Sequence, residues 1–357
     1  MYLKYMRIGI YSKVGSSGGS EFRCAEMCNA ILNEGHESFL LCENDLNDKI
    51  RAYCNPKVTI YEDVLGKTGK NLPRLYEMDS ILIINSDSQT FSRDDYWEGR
   101  TDKHNHHVDL TKIKQFTILY NYVIGPATKL TTIRAKCPDV RIITANRMWF
   151  NDITNQIKFE NIRHYPRLHL ESPINPNLIT DKKTPSDKIR IGRHSKAHGC
   201  KFNEEYINLI IRINEKFQDK VVWDFLGVPS SRSNGLDNIP NATTRQEFSI
   251  TVGEYLQNID IFVFFVDWSR DEPWSRSIAE GIMSGCPVIA NNRAGNKDQI
   301  IHGNTGYLCN TINDFFRYLC ILIENHELRA QMGRNSRIFS MQFTSDKIIR
   351  KFLDFIA

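Results

Sequence analysis

Glu272 and Glu280 stand eight residues apart in a stretch that reads IFVFFVDWSRDEPWSRSIAEGIM from 261 to 283. That text is an apolar strand, a polar loop and a helix. With Pro273 taken as the first helical residue, Glu272 lies just ahead of the helix and Glu280 two turns inside it. The two carboxylates then sit at different depths of one crevice. The backbone N–H groups of Trp274, Ser275 and Arg276 would open the helix, and a phosphate suits such an N-terminus. Glu280 falls among Ile278, Ile282 and Met283, where an unpaired carboxylate is costly, so the sequence calls for a partner there. A pair of solvated acids complementing the helix dipole is the plainer alternative, and the apolar setting of Glu280 speaks against it.

Together with AGNKDQIIHGNTGYL at 294–308, this stretch resembles the E-x7-E region of retaining glycosyltransferases of family 4, which have the GT-B fold. The downstream run is similar to that family's GG-x-P-E-I-I-x-x-G-x-x-G-x-L. The resemblance spans nearly the whole chain, is specific in the C-terminal half and is loose over 50–170. It implies an α/β chain of two Rossmann-like domains facing across a cleft. It also implies metal-independent, retaining transfer of a sugar from a nucleotide-diphosphate donor, with UDP or GDP expected, to an acceptor hydroxyl. In that front-face chemistry the leaving phosphate takes the acceptor's proton.

Residue by residue, the resemblance puts Glu272 near the donor sugar and Glu280 on the ribose hydroxyls. Arg193 with Lys201, or with Lys196 as the alternative, takes the place of the family's G-R…K pair on the leaving diphosphate. Trp274, Ser275 and Arg276 fall on the donor-binding helix start, with Pro273-Trp274-Ser275 in place of the usual G-F-G. The loop at 15–21, containing Gly18 and Gly19, resembles the family's G-G-x-E loop. Glycines there let the backbone approach a ligand. Gln299, beside Asp298, stands where the family often has Glu. The family commonly carries a histidine beyond a central N-domain strand, whereas this chain has Asn121-Tyr122; Asn121 and Arg93 are the acceptor-side candidates. Asp94 and the histidines of KHNHH (His104, His106, His107) lie in the same irregular region. No metal is expected there, because no Cys or carboxylate sits at a convincing ligand spacing.

These residues need two parallel sheets to position them. Apolar runs at 7–12, 37–42, 80–85, 116–121 and 140–145 read as strands, with a helix over 21–33. That is a β-loop-α-β start of a doubly wound sheet. Four prolines between 166 and 185 mark an interdomain connection. The rhythm restarts with strands at 189–192, 221–226 and 259–266, a helix capped by Asn203 and a short helix over 252–258. The segment 236–245 reads as a loop, Gly285 as the stop of the Glu280 helix, and 287–290 as a buried strand. Helices are expected over 312–324, 327–339 and 345–355. The domain expectation is therefore 1–172 on the acceptor side and 173–341 on the donor side, with the last helix, 342–357, packing back on the first domain.

At 357 residues and a net charge of +4, the chain has room for two cores and no strong bias toward polyanions. Nine scattered cysteines, an odd number, suit reduced thiols in the cytoplasm better than a disulfide framework. No signal peptide or membrane span is read in the sequence, and nothing supports nucleic-acid binding. Lys112, Lys114, Lys129, Arg134, Lys136, Arg141 and Arg147 enrich one region in positive charge. Peripheral contact with the inner membrane face therefore stays open beside a plain solvated surface. The acceptor could be a glycan, a lipid-linked sugar or a small molecule. Competing readings are another chemistry on the same fold (a phosphorylase or an epimerase) and a degenerate nucleotide-sugar-binding scaffold. Trp268 and Trp274 are as much core as ligand-stacking candidates.

Overall fold

The computed structural model describes residues 5–12, 18–84, 108–109, 112–120, 140–148, 169–181, 183–196, 201–228 and 235–357. The chain divides into two compact units, Met1–Pro173 with Ser345–Ala357, and Ile174–Thr344.

The first unit runs β1 (Arg7–Ser12), α1 (Gly19–Asn33), β2 (Glu37–Cys42), α2 (Asp48–Tyr53), β3 (Thr59–Tyr61), β4 (Ser80–Ile84), β5 (Phe116–Tyr120) and β6 (Arg141–Thr144). These strands form one sheet, ordered β3-β2-β1-β4-β5-β6, with every neighbouring pair parallel. Strands covered on both faces must be apolar throughout, which is why RIGIYS and SILII read as continuous runs. The second unit repeats the plan. It runs β7 (Ile189–His194), α3 (Glu204–Phe217), β8 (Val221–Leu226), β9 (Ala242–Arg245), α4 (Val252–Gln257), β10 (Ile261–Phe264), α5 (Arg276–Met283), β11 (Val288–Asn291), α6 (Asn296–Gln299), β12 (Gly306–Cys309), α7 (Ile312–Glu324) and α8 (His326–Ser340). Its sheet is ordered β12-β11-β10-β7-β8-β9 and is again parallel.

The final helix, α9 (Ser345–Ile356), belongs to the first unit. Its buried face, Ile348, Ile349, Phe352, Leu353 and Ile356, joins the core that α1 builds on that sheet. Ser345 Oγ donates to buried Glu26 of α1, and Lys351 Nζ lies 3.0 Å from Glu171 Oε2.

Each sheet winds outward in one direction and then restarts on the other side, so its chain order reverses between two adjacent strands. The reversals fall between β1 and β4 and between β7 and β10. In open α/β sheets, ligands bind beyond the C-terminal ends of the strands that flank such a reversal.

Local chemistry sets the helix ends. Asn203 Oδ1 caps α3 by accepting from Tyr206 N at 3.1 Å. Thr251 with Glu254, and Thr311 with Asp314, close capping boxes on α4 and α7. Gly285, with φ +74°, follows Ser284 at the end of α5 and supplies the left-handed turn that stops it.

Two expectations are corrected. The end of the 236–245 loop is β9, a short half-buried edge strand paired with β8, whose polar ATTR text hides it from a periodicity search. The helix after β10 starts at Arg276, three residues beyond Pro273.

Candidate functional site

The reversal in the second unit brings the ends of β7 and β10 together, and the candidate residues stand at those ends and on the segments that lead away from them. β7 ends in Arg193-His194. Gly192 just before them lets α4 close in: a Cβ there would lie 2.3 Å from Ile259 Cδ1 and 2.5 Å from the Tyr255 hydroxyl. Just beyond β10, the side chain of buried Asn291 holds the backbone. Its Oδ1 accepts from Val266 N at 2.9 Å and its Nδ2 donates to Val266 O at 3.1 Å. The loop that leads to Glu272 therefore starts from a fixed point.

The approach to α5 is pinned as firmly. Ser275 is the N-cap, its Oγ accepting from Ile278 N at 3.3 Å. Its own backbone is clamped by fully buried Gln299: Ser275 N donates to Gln299 Oε1 at 3.0 Å, and Gln299 Nε2 donates to Ser275 O at 2.7 Å. The Ser275 N–H is thus committed within the protein, which corrects its expected place among the open N–H groups of the helix start. The physical reason is the later helix start: a serine caps better than Glu272-Pro273 can. Gly295 N donates to Glu272 O at 3.1 Å, and a Cβ on Gly295 would lie 2.0 Å from Pro273 O. Only glycine lets the 272–273 backbone pass this closely.

On that scaffold Glu280 is 6 % exposed. Its Oε1 accepts from Arg276 Nε at 2.7 Å, one turn earlier on α5, and its Oε2 lies 3.3 Å from His194 Nε2. Burial raises the Glu280 pKa and the Arg276 guanidinium works against that rise. His194 is as deeply buried, and burial drives its pKa down to about 3, assisted by the charges of Arg276, Lys201 and Arg193. The imidazole is therefore neutral at ordinary pH, so the contact with Glu280 is not an ion pair. Nearer the surface, Lys201 Nζ lies 3.5 Å from Glu272 Oε1 and over the Phe264 ring.

Arg193 occupies a different place from the one a direct phosphate contact would need. It is fully buried, its Nη1 donates to the carbonyls of Lys201 and Phe265, and its guanidinium lies against the rings of Phe202, Tyr206 and Phe264. Its charge stands behind Lys201 and ties the Lys201 segment to the end of β10.

Of the other residues singled out, Lys196 is exposed and Lys201 is the lysine beside Glu272. Trp274 packs edge-on against Phe343, 4.9 Å between centroids. Trp268 packs on Phe265 and Phe315 and donates to Glu205. Both tryptophans are half-buried and pack against the core. In the first unit, Gly18 is the N-cap of α1 and Gly19 its first residue. Arg93, Asp94, His104, His106, His107, Asn121 and Tyr122 lie outside the described residues. Of the basic region, Lys112, Lys114, Arg141 and Arg147 are described, and the first three engage Asp109, Asp79 and the Phe355 carbonyl. Among the described residues no helix is long and apolar enough to cross a membrane.

Sequence reasoning missed His194 and the Gln299 clamp. A polar residue that ends a central strand at the reversal was the available signal for His194. Nothing in the text pairs Gln299 with Ser275, which lies 24 residues away.

Taken together, Arg193, Lys201 and Arg276 outnumber Glu272 and Glu280 in charge, so the site favours an anion. Two carboxylates held by fixed cations can at the same time accept hydrogen bonds from hydroxyls.

Residues 241–339 match the family described as Glycosyl transferases group 1; this segment contains Glu272, Arg276, Glu280 and Gln299. An uncharacterized glycosyltransferase of Haemophilus influenzae is 21% identical over 97% of this chain and 98% of its own length. Among solved structures, a glycosyltransferase of Rickettsia africae superposes with a TM-score of 0.75 at 14% identity, covering 99% of this chain and 98% of that one. Anabaena HepE in complex with UDP does so with a TM-score of 0.72, also at 14% identity, over 98% of this chain and 99% of that one. The fold, two parallel six-stranded sheets flanked by helices, is that of GT-B glycosyltransferases.

Proposed function

We propose that this chain is a retaining glycosyltransferase of family 4 that moves a sugar from a UDP- or GDP-linked donor to an acceptor hydroxyl without a metal. One observation carries the reading. The two glutamates of the E-x7-E segment stand at the strand reversal of the second unit, one beside Lys201 and the other held by Arg276 and His194.

In this reading Glu280 accepts from the ribose hydroxyls and Glu272 from the donor sugar. Lys201 meets the leaving diphosphate, with the Arg193 charge behind it, so the negative charge that develops on the leaving group falls where cations are already fixed. The acceptor hydroxyl attacks from the face that the diphosphate leaves, and the diphosphate takes its proton. HepE, whose fold this chain shares, was solved with UDP, which supports a nucleotide diphosphate as guest. The acceptor is a glycan, a lipid-linked sugar or a small molecule. Free, buried cysteines such as Cys24, Cys28 and Cys286 suit work in the reducing cytoplasm.

The test is donor hydrolysis without acceptor. Each common UDP- and GDP-sugar is incubated with the chain, and proton NMR follows the anomer first released. Release of the donor's own anomer, lost in Glu272→Ala, is expected. Release of the opposite anomer would overturn retention, and no release from any donor would count against transfer.

A further inference from the structure

His194 ends β7 with its ring under cover, edge-on to Phe262 of β10 at 5.4 Å and to Tyr255 of α4 at 6.0 Å. Its Nε2 has no hydrogen-bond partner among the described residues and lies 3.3 Å from Glu280 Oε2. Among the described residues, the charged groups around it are Arg276 and Glu280 on α5, Lys201 ahead of α3, and Arg193 on its own strand. Tyr255, the titratable group facing it from α4, is held neutral by burial.

We propose that His194 is a positioning residue of the nucleoside pocket: as a neutral imidazole it turns its Nε2–H toward Glu280 Oε2 and fixes the carboxylate for a vicinal diol. This rests on the reading that Glu280 receives the ribose.

Tautomer logic supports it. Three cations nearby disfavour an imidazolium. A lone pair on Nε2 would face the lone pairs of a carboxylate oxygen, which leaves the Nε2–H form as the one that meets a charged Glu280. Arg276 then holds Oε1 and His194 holds Oε2, so the carboxylate plane cannot swing. Each oxygen keeps a lone pair for one hydroxyl of a cis-diol. A lysine or arginine at 194 would hold the plane equally well, but would add charge to a layer that already contains Arg193, Lys201 and Arg276.

The test has two arms on the full chain. Without ligand, long-range proton–nitrogen NMR of the 15N-histidine protein should show the His194 ring as the neutral Nε2–H tautomer from pH 7.5 to 5.5. An Nδ1–H tautomer, or protonation with an ordinary midpoint near 6.5, would overturn the proposal. In the second arm UDP and GDP are titrated calorimetrically into wild type, His194→Met and His194→Gln. The methionine variant should bind about tenfold more weakly, the size of one hydrogen bond to a charged group. The glutamine variant, whose side-chain N–H reaches near the same point, should recover most of that loss. Equal binding by the methionine variant and wild type would refute the positioning role. If wild type binds neither nucleotide, the nucleotide reading fails, and the NMR arm still decides the His194–Glu280 contact.

Discussion

Replacing Gln299 by Glu, the residue common at this place in the family that the sequence resembles, should destabilise the chain, and do so more at high pH than at low. Gln299 is fully buried and spends both ends of its amide on the backbone of one residue: Oε1 accepts from Ser275 N at 3.0 Å and Nε2 donates to Ser275 O at 2.7 Å. A carboxylate reproduces the acceptor and not the donor. It puts a charged oxygen against the Ser275 carbonyl at the distance of a hydrogen bond. Losing the bond costs about 0.5–1.5 kcal/mol net, and burying the second carboxylate oxygen without a donor costs about 1–3 kcal/mol; Ser275 O itself still accepts from Ala279 N at 3.2 Å. A working figure is ~3 kcal/mol at pH 8. The introduced carboxyl escapes by taking a proton, which restores a donor. Its folded pKa is then raised above the unfolded value of about 4.3. The stability it keeps is full below that unfolded value and is lost as pH rises through the folded pKa. Urea denaturation followed by tryptophan fluorescence should show the ~3 kcal/mol deficit at pH 8 shrinking to ~1 kcal/mol near pH 4.5. A variant as stable as wild type at pH 8, or one with the same deficit at every pH, would show that the amide clamp does not hold the entry to α5.

Three further outcomes are expected. Gly295→Ala puts a Cβ 2.0 Å from Pro273 O; it should cost ~1–3 kcal/mol and, by displacing Glu272, should abolish donor hydrolysis even where the protein stays folded, as circular dichroism and turnover together would show. His194, whose pKa falls from 6.5 to about 3 on burial, contributes stability that is full above 6.5 and lost as pH falls toward 3. The ceiling is ~5 kcal/mol; Glu280, raised by burial, opposes it at the acid end, so His194→Gln should flatten the acid limb of a stability–pH curve. Lys201→Ala should slow donor hydrolysis about 100-fold while Lys196→Ala stays near wild type; equal effects would remove the assignment of Lys201 to the diphosphate.

The two sheets were legible because parallel strands covered on both faces must be apolar, and IFVF, SILII and RIGIYS leave little else to read. The helices with strong caps or stops were legible too: Asn203 and Gly285 are local devices, readable from a few neighbours. What was not legible depends on partners distant in the sequence. β9 is a polar edge strand recognisable only through its pairing with β8. The start of α5 could not be read because Pro273 is an acceptable first-turn residue, while Ser275 wins through Gln299 on another element. Arg193 read as a diphosphate contact just past a strand ending at Gly192. It is the fifth residue of a central strand, and its side chain turns inward onto Phe202, Tyr206 and Phe264. The glutamates were legible by type and spacing, but their partners Lys201, Arg276 and His194 come from three separate segments.

The most direct test of the central claim is a calorimetric titration of UDP and GDP into the wild-type chain and into Glu280→Ala, with Lys196→Ala as the control for a change of surface charge. The account predicts saturable binding of at least one nucleotide, weakened tenfold or more in Glu280→Ala by loss of the ribose acceptor (about 1.4 kcal/mol or more) and unchanged in the control. Undiminished binding to a folded Glu280→Ala protein would place the nucleotide elsewhere and contradict the account.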